Sequence, residues 1–166
     1  MQNIKNPQSK KKAFFADVML GRLAKWLRIL GYDTSYEQTI TSEKLVNTAR
    51  NENRMILTRN KKLIKTLDES ECLFIEGNFL VNQLKQVIDE FNLDMSENFL
   101  SRCTVCNAEI VPANKEEVIN DVPDFVFRMQ NEFSKCPKCG KIFWKGTHLK
   151  RMEEILGNLQ KLNSEY

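Results

Sequence analysis

The order of apolar runs predicts an α/β fold: a mostly parallel sheet flanked by helices, followed by a smaller unit held by metal. Three features carry this prediction. From Phe14 to about Asp94, short apolar runs alternate with segments of helical period, the pattern of βα units. One run, Arg54-Met55-Ile56-Leu57-Thr58, is continuously apolar at its centre, as a strand covered on both faces must be. Two C-x2-C pairs then follow, Cys103/Cys106 and Cys136/Cys139, with 29 residues between them.

The first strand, ending at Ala16, is followed at once by Asp17. In a parallel α/β sheet, a carboxylate at the C-terminal end of a strand stands where ligands bind. A helix comes next. With Leu20 at the origin of a helical wheel, Leu23, Ala24, Leu27 and Leu30 share its face, while Arg22, Lys25 and Arg28 fall on the opposite, cationic side. That side reads either as a phosphate-binding surface or as the solvated face of an ordinary amphipathic helix. Gly31 is placed to end the helix.

A second strand is expected over Tyr32–Tyr36, and a helix capped by Ser42 with Leu45, Val46 and Ala49 inward. The third strand runs into Thr58-Arg59-Asn60 and a short helix with Leu63, Ile64 and Leu67. Cys72-Leu73-Phe74-Ile75 is the fourth strand, and a helix with Phe79, Leu80, Leu84, Val87, Ile88 and Phe91 closes the block. Cys72 lies inside an apolar strand and reads as a buried, inert thiol.

Two thiolates two residues apart can grip one ion from a tight turn, and two such knuckles complete a tetrahedral site. Cys103, Cys106, Cys136 and Cys139 are therefore expected to hold a structural Zn²⁺. The start of the sequence does not read as an export signal, which disfavours disulfides. A short helix is expected after Pro123, around Asp124, Phe125, Val126 and Met129. Trp26, Phe143 and Trp144 can stack on bases but read better as core residues, and His148, the single histidine, as a packing or RNA-contact residue.

Of 166 residues, 42% are hydrophobic and 28% charged, which fits a globular chain, and apolar runs of only a few residues give no membrane span. A cytoplasmic protein is expected. The net charge of +3 is modest, but residues 1–35 hold seven Lys/Arg against Asp17 and Asp33. Residues 1–12, with Lys5, Lys10, Lys11 and Lys12, read as a flexible basic arm.

Taken together, Asp17-Val-Met-Leu-Gly-Arg-Leu-Ala-Lys-Trp-Leu-Arg-Ile-Leu-Gly-Tyr-Asp33, Arg54-Met-Ile-Leu-Thr-Arg-Asn60, the two knuckles and Trp144-Lys-Gly-Thr-His148 resemble the Mut-seven C-terminal RNase family. The resemblance implies a PIN-like nuclease domain over 13–98, a zinc ribbon over 99–157 and a tail over 158–166. It further implies a ribonuclease in which Mg²⁺ or Mn²⁺ on an acidic cluster activates water against a phosphodiester. Asp17 matches the family's first acidic position. The second falls on Ser42, with Glu43 beside it, and the third on Asn60. Asp17, Glu43 and Asn60 are thus the candidate catalytic set, with Glu76 a further carboxylate by position, and Arg22, Lys25, Arg28 and Arg59 the candidate RNA contacts. An RNA-binding adaptor without hydrolysis, and a module whose ribbon docks a protein partner, are the alternatives.

Overall fold

The computed structural model describes residues 13–146, Met152 and 154–157. The basic arm expected over 1–12, His148 and the tail from 158 lie outside the described residues. Two units form. One takes the described residues up to Ala24 together with Tyr32–Leu93, and the other takes Lys25–Gly31 together with those from Asp94 onward.

In the first unit, β1 (Phe14–Ala16), β2 (Thr34–Tyr36), β3 (Met55–Thr58) and β4 (Cys72–Phe74) make one sheet in the order β2-β1-β3-β4. All three pairings are parallel, with Phe15 beside both Ser35 and Ile56, and Leu57 beside Leu73. Side chains alternate between the two faces of a strand, so β1 sends Phe14 and Phe15 to opposite sides. Phe15 packs with Ile56, Cys72, Leu45 and Ala49, the last two from α2 (Ser42–Asn51). Phe14 meets Tyr32 and Phe91 edge to face, with ring centroids 6.3 and 5.1 Å apart; Phe91 is the last residue of α4 (Leu80–Phe91). Both faces of the sheet are covered, which is why its central strands carry so few polar residues. Cys72 is buried, burial raises its thiol pKa, and its Sγ lies 3.5 Å from the Asp68 carbonyl.

Arg54 pins the entry of β3. Its guanidinium forks onto the Asp33 carboxylate at 2.6 and 3.3 Å and also bonds Glu52. Burial opposes its charge, but these carboxylates outweigh burial and hold its pKa above the ordinary arginine value. At the start of α2 the structure corrects the sequence expectation. Thr41, not Ser42, is the cap: it is extended (φ −75°, ψ 151°) and its hydroxyl accepts from the Lys44 N–H at 3.2 Å. Of two adjacent hydroxyl residues, the one left outside the helical turn makes the cap.

A 3₁₀ turn at Val18–Leu20 leads into α1 (Gly21–Ile29). Leu23, Ala24, Leu27 and Leu30 are buried as the wheel predicts, but so is Arg28, only 5% exposed. Its Nη1 donates to the carbonyls of Thr104 and Val105 at 3.2 and 2.9 Å. Arg28 is therefore not on the open cationic face expected for it. A helical wheel sees only the periodicity of its own segment, and the carbonyls that hold this guanidinium lie some 76 residues further on. Gly31 ends the helix at φ +87°, and a Cβ there would stand 2.1 Å from the Asn98 carbonyl oxygen. Both the left-handed backbone and the close approach call for glycine.

In the second unit, β5 (Val111–Ala113), β6 (Phe133–Lys135) and β7 (Ile142–Trp144) form an antiparallel sheet in sequence order. Val118, Val122, Phe133 and Ile142 make its core, joined by Val126 and Phe127 of α5 (Asp124–Met129). Trp144, expected inside, is 38% exposed, because it ends an edge strand beyond this small core. Among the described residues, no helix is long and apolar enough to cross a membrane.

Arg28→Met should destabilise the second unit by about 1–3 kcal/mol, since it leaves two carbonyls without their donor. Urea denaturation measures this, and an unchanged midpoint would contradict the assignment.

Candidate functional site

In the order β2-β1-β3-β4 the chain moves from β1 out to β2, then back across to β3. The winding reverses between β1 and β3, and at such a switch point the loops leaving the strand ends diverge and open a crevice. A cleft of about 350 Å³ lies here. Asp17, Val18 and Met19 line it after β1, Ile40, Ser42 and Leu45 after β2, and the run Arg59 to Leu63 after β3.

Asp17 is 6% exposed, and both its oxygens are engaged. Oδ1 accepts from the Met19 N–H at 2.8 Å, capping the 3₁₀ turn that leads into α1. Oδ2 accepts from the Thr58 hydroxyl at 2.5 Å and from the Arg59 N–H at 2.8 Å. One carboxylate thus joins the end of β1 to the end of β3. Thr58 in turn accepts from the Asn60 N–H at 2.9 Å.

Asn60 is itself a cap. Its Oδ1 accepts from the N–H groups of Lys62 and Leu63 at 3.0 and 3.2 Å and starts α3 (Lys61–Ile64). Asn and Asp cap equally well, so an amide here keeps the local geometry and removes only the charge. Among the lining residues Asp17 is the single acid, against the cations Arg59, Lys61 and Lys62. Arg59 donates from Nη2 to Asn78 Oδ1 at 2.6 Å. Lys61 and Lys62 are exposed, and no ion pair is seen for either among the described residues.

The second unit holds a four-cysteine cluster. The two knuckles repeat one backbone design: Asn107 (φ 70°) and Gly140 (φ 76°) turn the chain after the second cysteine of each pair. Their N–H groups reach back to the carbonyls of Cys103 and Cys136 at 3.0 and 2.9 Å, and the N–H groups of Cys106 and Cys139 approach the sulfurs of Cys103 and Cys136 at 3.5 and 3.4 Å. All four sulfurs lie within 4.8 Å of one another, with Cys103–Cys139 at 3.6 Å and Cys106–Cys136 at 3.3 Å. These separations are far beyond a disulfide bond and close to the edge of a tetrahedron, about 3.8 Å for metal–sulfur bonds of about 2.3 Å. Burial opposes ionisation of Cys136, yet N–H groups of Cys139 and Lys138 and the neighbouring thiols bring it down to about 7. Burial pushes Cys106 up to about 12. Four thiolate donors with no fifth position suit a closed, structural ion.

Residues 12–156 match the Mut7-C RNAse domain, a match that takes in both sheets and the cysteine cluster. The chain belongs to the Mut7-C RNase family. Among curated proteins no match is found.

Within this Mut7-C domain the sequence-predicted residues divide. Asp17, Asn60 and Arg59 line the cleft, and from α2 it is Ser42 that does so. Glu43 is exposed in the first turn of α2 and Glu76 is exposed just beyond β4; neither is a lining residue. Arg22 and Lys25 are exposed on α1, also away from the lining, and Arg28 is buried. Lys61 and Lys62 are cleft residues that sequence reasoning passed over. The signal was present, two lysines directly after Asn60.

Protein purified without chelator should carry one metal ion per chain, and Cys139→Ser should lose it. Elemental analysis decides the point, and a metal-free wild-type chain would contradict the cluster's assignment.

Proposed function

We propose that this Mut7-C chain is a metal-dependent endoribonuclease of low activity, which takes single-stranded RNA into the Asp17 cleft in the cytoplasm. The observation that carries the reading is the carboxylate of Asp17, fixed at the switch point of a parallel sheet in a chain of a ribonuclease family. Mg²⁺ keeps several of its waters and is commonly held by only one or two carboxylates. The donors here, one carboxylate with the neutral oxygens of Ser42 and Asn60, fit one such ion and not a pair. When bound, Mg²⁺ or Mn²⁺ would supply a more acidic water. The chain's own part is to fix Asp17 by three hydrogen bonds and to hold RNA phosphates against Arg59, Lys61 and Lys62. The four cysteines are proposed to bind Zn²⁺, the ion that tetrahedral thiolate sites favour, as a staple for a unit too small to rely on its core.

A second reading, an RNA-binding adaptor without hydrolysis, is favoured by one observation: the cleft offers three cations against one carboxylate, whereas a catalytic divalent ion needs converging anions.

The two readings part on one experiment. Ser42→Asp with Asn60→Asp should raise Mn²⁺-dependent cleavage of a single-stranded RNA by at least the roughly tenfold that even a group supporting a metal ligand contributes. If wild type and the double variant both leave RNA intact at millimolar Mn²⁺, the adaptor reading replaces the enzyme.

A further inference from the structure

We infer that the Asp17 cleft grips an RNA phosphate without a bridging metal ion, the positive charge coming from Lys61, Lys62 and Arg59 and the adjoining base resting on Val18 and Met19. This rests on the reading that RNA enters the cleft, and it adds what holds the RNA there.

A cleft lined by three cations and a single acid is an anion site by its field. The acid is also the least available of these groups, 6% exposed and accepting three hydrogen bonds. An incoming phosphate meets lysines in the open and a carboxylate already satisfied. The two neutral residues add to this. Ser42 carries a hydroxyl and Asn60 an amide NH₂, both able to donate to phosphate oxygens, where aspartates would repel them.

Val18 and Met19 are 44% and 64% exposed although they belong to an otherwise apolar stretch, and Ile40 and Leu45 are further apolar lining residues. A lining part apolar and part cationic suits a nucleotide, with its base on the first and its phosphate on the second. The volume of about 350 Å³ is at the small end of the roughly 300–1,000 Å³ range of ligand pockets. That is room for one unstacked nucleotide, the form in which single strands present their bases.

The test is fluorescence anisotropy of the full chain with a labelled single-stranded oligouridylate, in EDTA and in Mg²⁺. Affinity should agree within about twofold between the two conditions, and Lys61→Glu with Lys62→Glu should weaken it at least tenfold in both. In Lys61→Gln and Lys62→Gln, the slope of log K against log salt should each fall by about 0.7, one phosphate contact on a single strand. Both lysines are exposed, so thermal melting of the variants should match wild type. Binding that needs Mg²⁺, or EDTA-resistant binding that ignores both lysines, would overturn the inference and leave RNA recognition standing. No binding in either condition would overturn the RNA reading itself, and this inference with it.

Discussion

Three hydrogen bonds to one carboxylate set the shape of the site. Asp17 follows directly on β1, and without its Oδ2 the end of that strand has no side-chain tie to Thr58 and Arg59 at the end of β3. Without its Oδ1 the turn at Val18–Leu20 loses its cap, and that turn aims α1. Hydrogen bonds to a charged acceptor in a buried place are among the stronger polar interactions a fold can use. The same atoms that make Asp17 look like a metal ligand from sequence thus also hold together the two strand ends that frame the cleft. A carboxylate in this role is fixed in place before any ligand arrives, and Asn60 stands two residues beyond the strand end that it holds.

The neutral residues at positions 42 and 60 are compatible with this frame. Asn60 keeps the cap of α3 and Thr41 supplies the cap of α2, so neither helix start suffers from the missing charge. What changes is the field. A cleft with three carboxylates repels itself when empty and is relieved by divalent ions. With one carboxylate beside Arg59, Lys61 and Lys62 no such repulsion arises.

How much of this was legible in the sequence depends on how local the cause was. The four parallel strands, the stop at Gly31 and the two knuckles could be read because each is written in its own few residues: apolar runs, a glycine after the last helical leucine, paired cysteines. The clustering of Asp17 with positions 42 and 60 was legible only through the resemblance to a family, since nothing in the spacing of those residues brings them together. Arg28 was misjudged because a wheel assigns a side chain by its own helix, while its partners at Thr104 and Val105 lie in a distant knuckle. Lys61 and Lys62 were passed over because two lysines at a helix start read as solvated until the cleft beside them is seen. Glu43 was favoured because it carries a charge, yet the first turn of α2 gives the cleft Ser42 instead.

Asp17 is a structural acceptor whatever else it does, and the stability of Asp17→Asn in EDTA puts this to the test. An acid retained only for function is often a burden on the fold, and its removal leaves stability unchanged or improved. An acid that bridges two strand ends behaves oppositely: an amide can satisfy only part of the same donors and sets its own N–H groups against others. Asp17→Asn should lose about 1.5–3 kcal/mol on unfolding by denaturant, the range for hydrogen bonds to a charged group. A variant as stable as wild type, or more so, would contradict it.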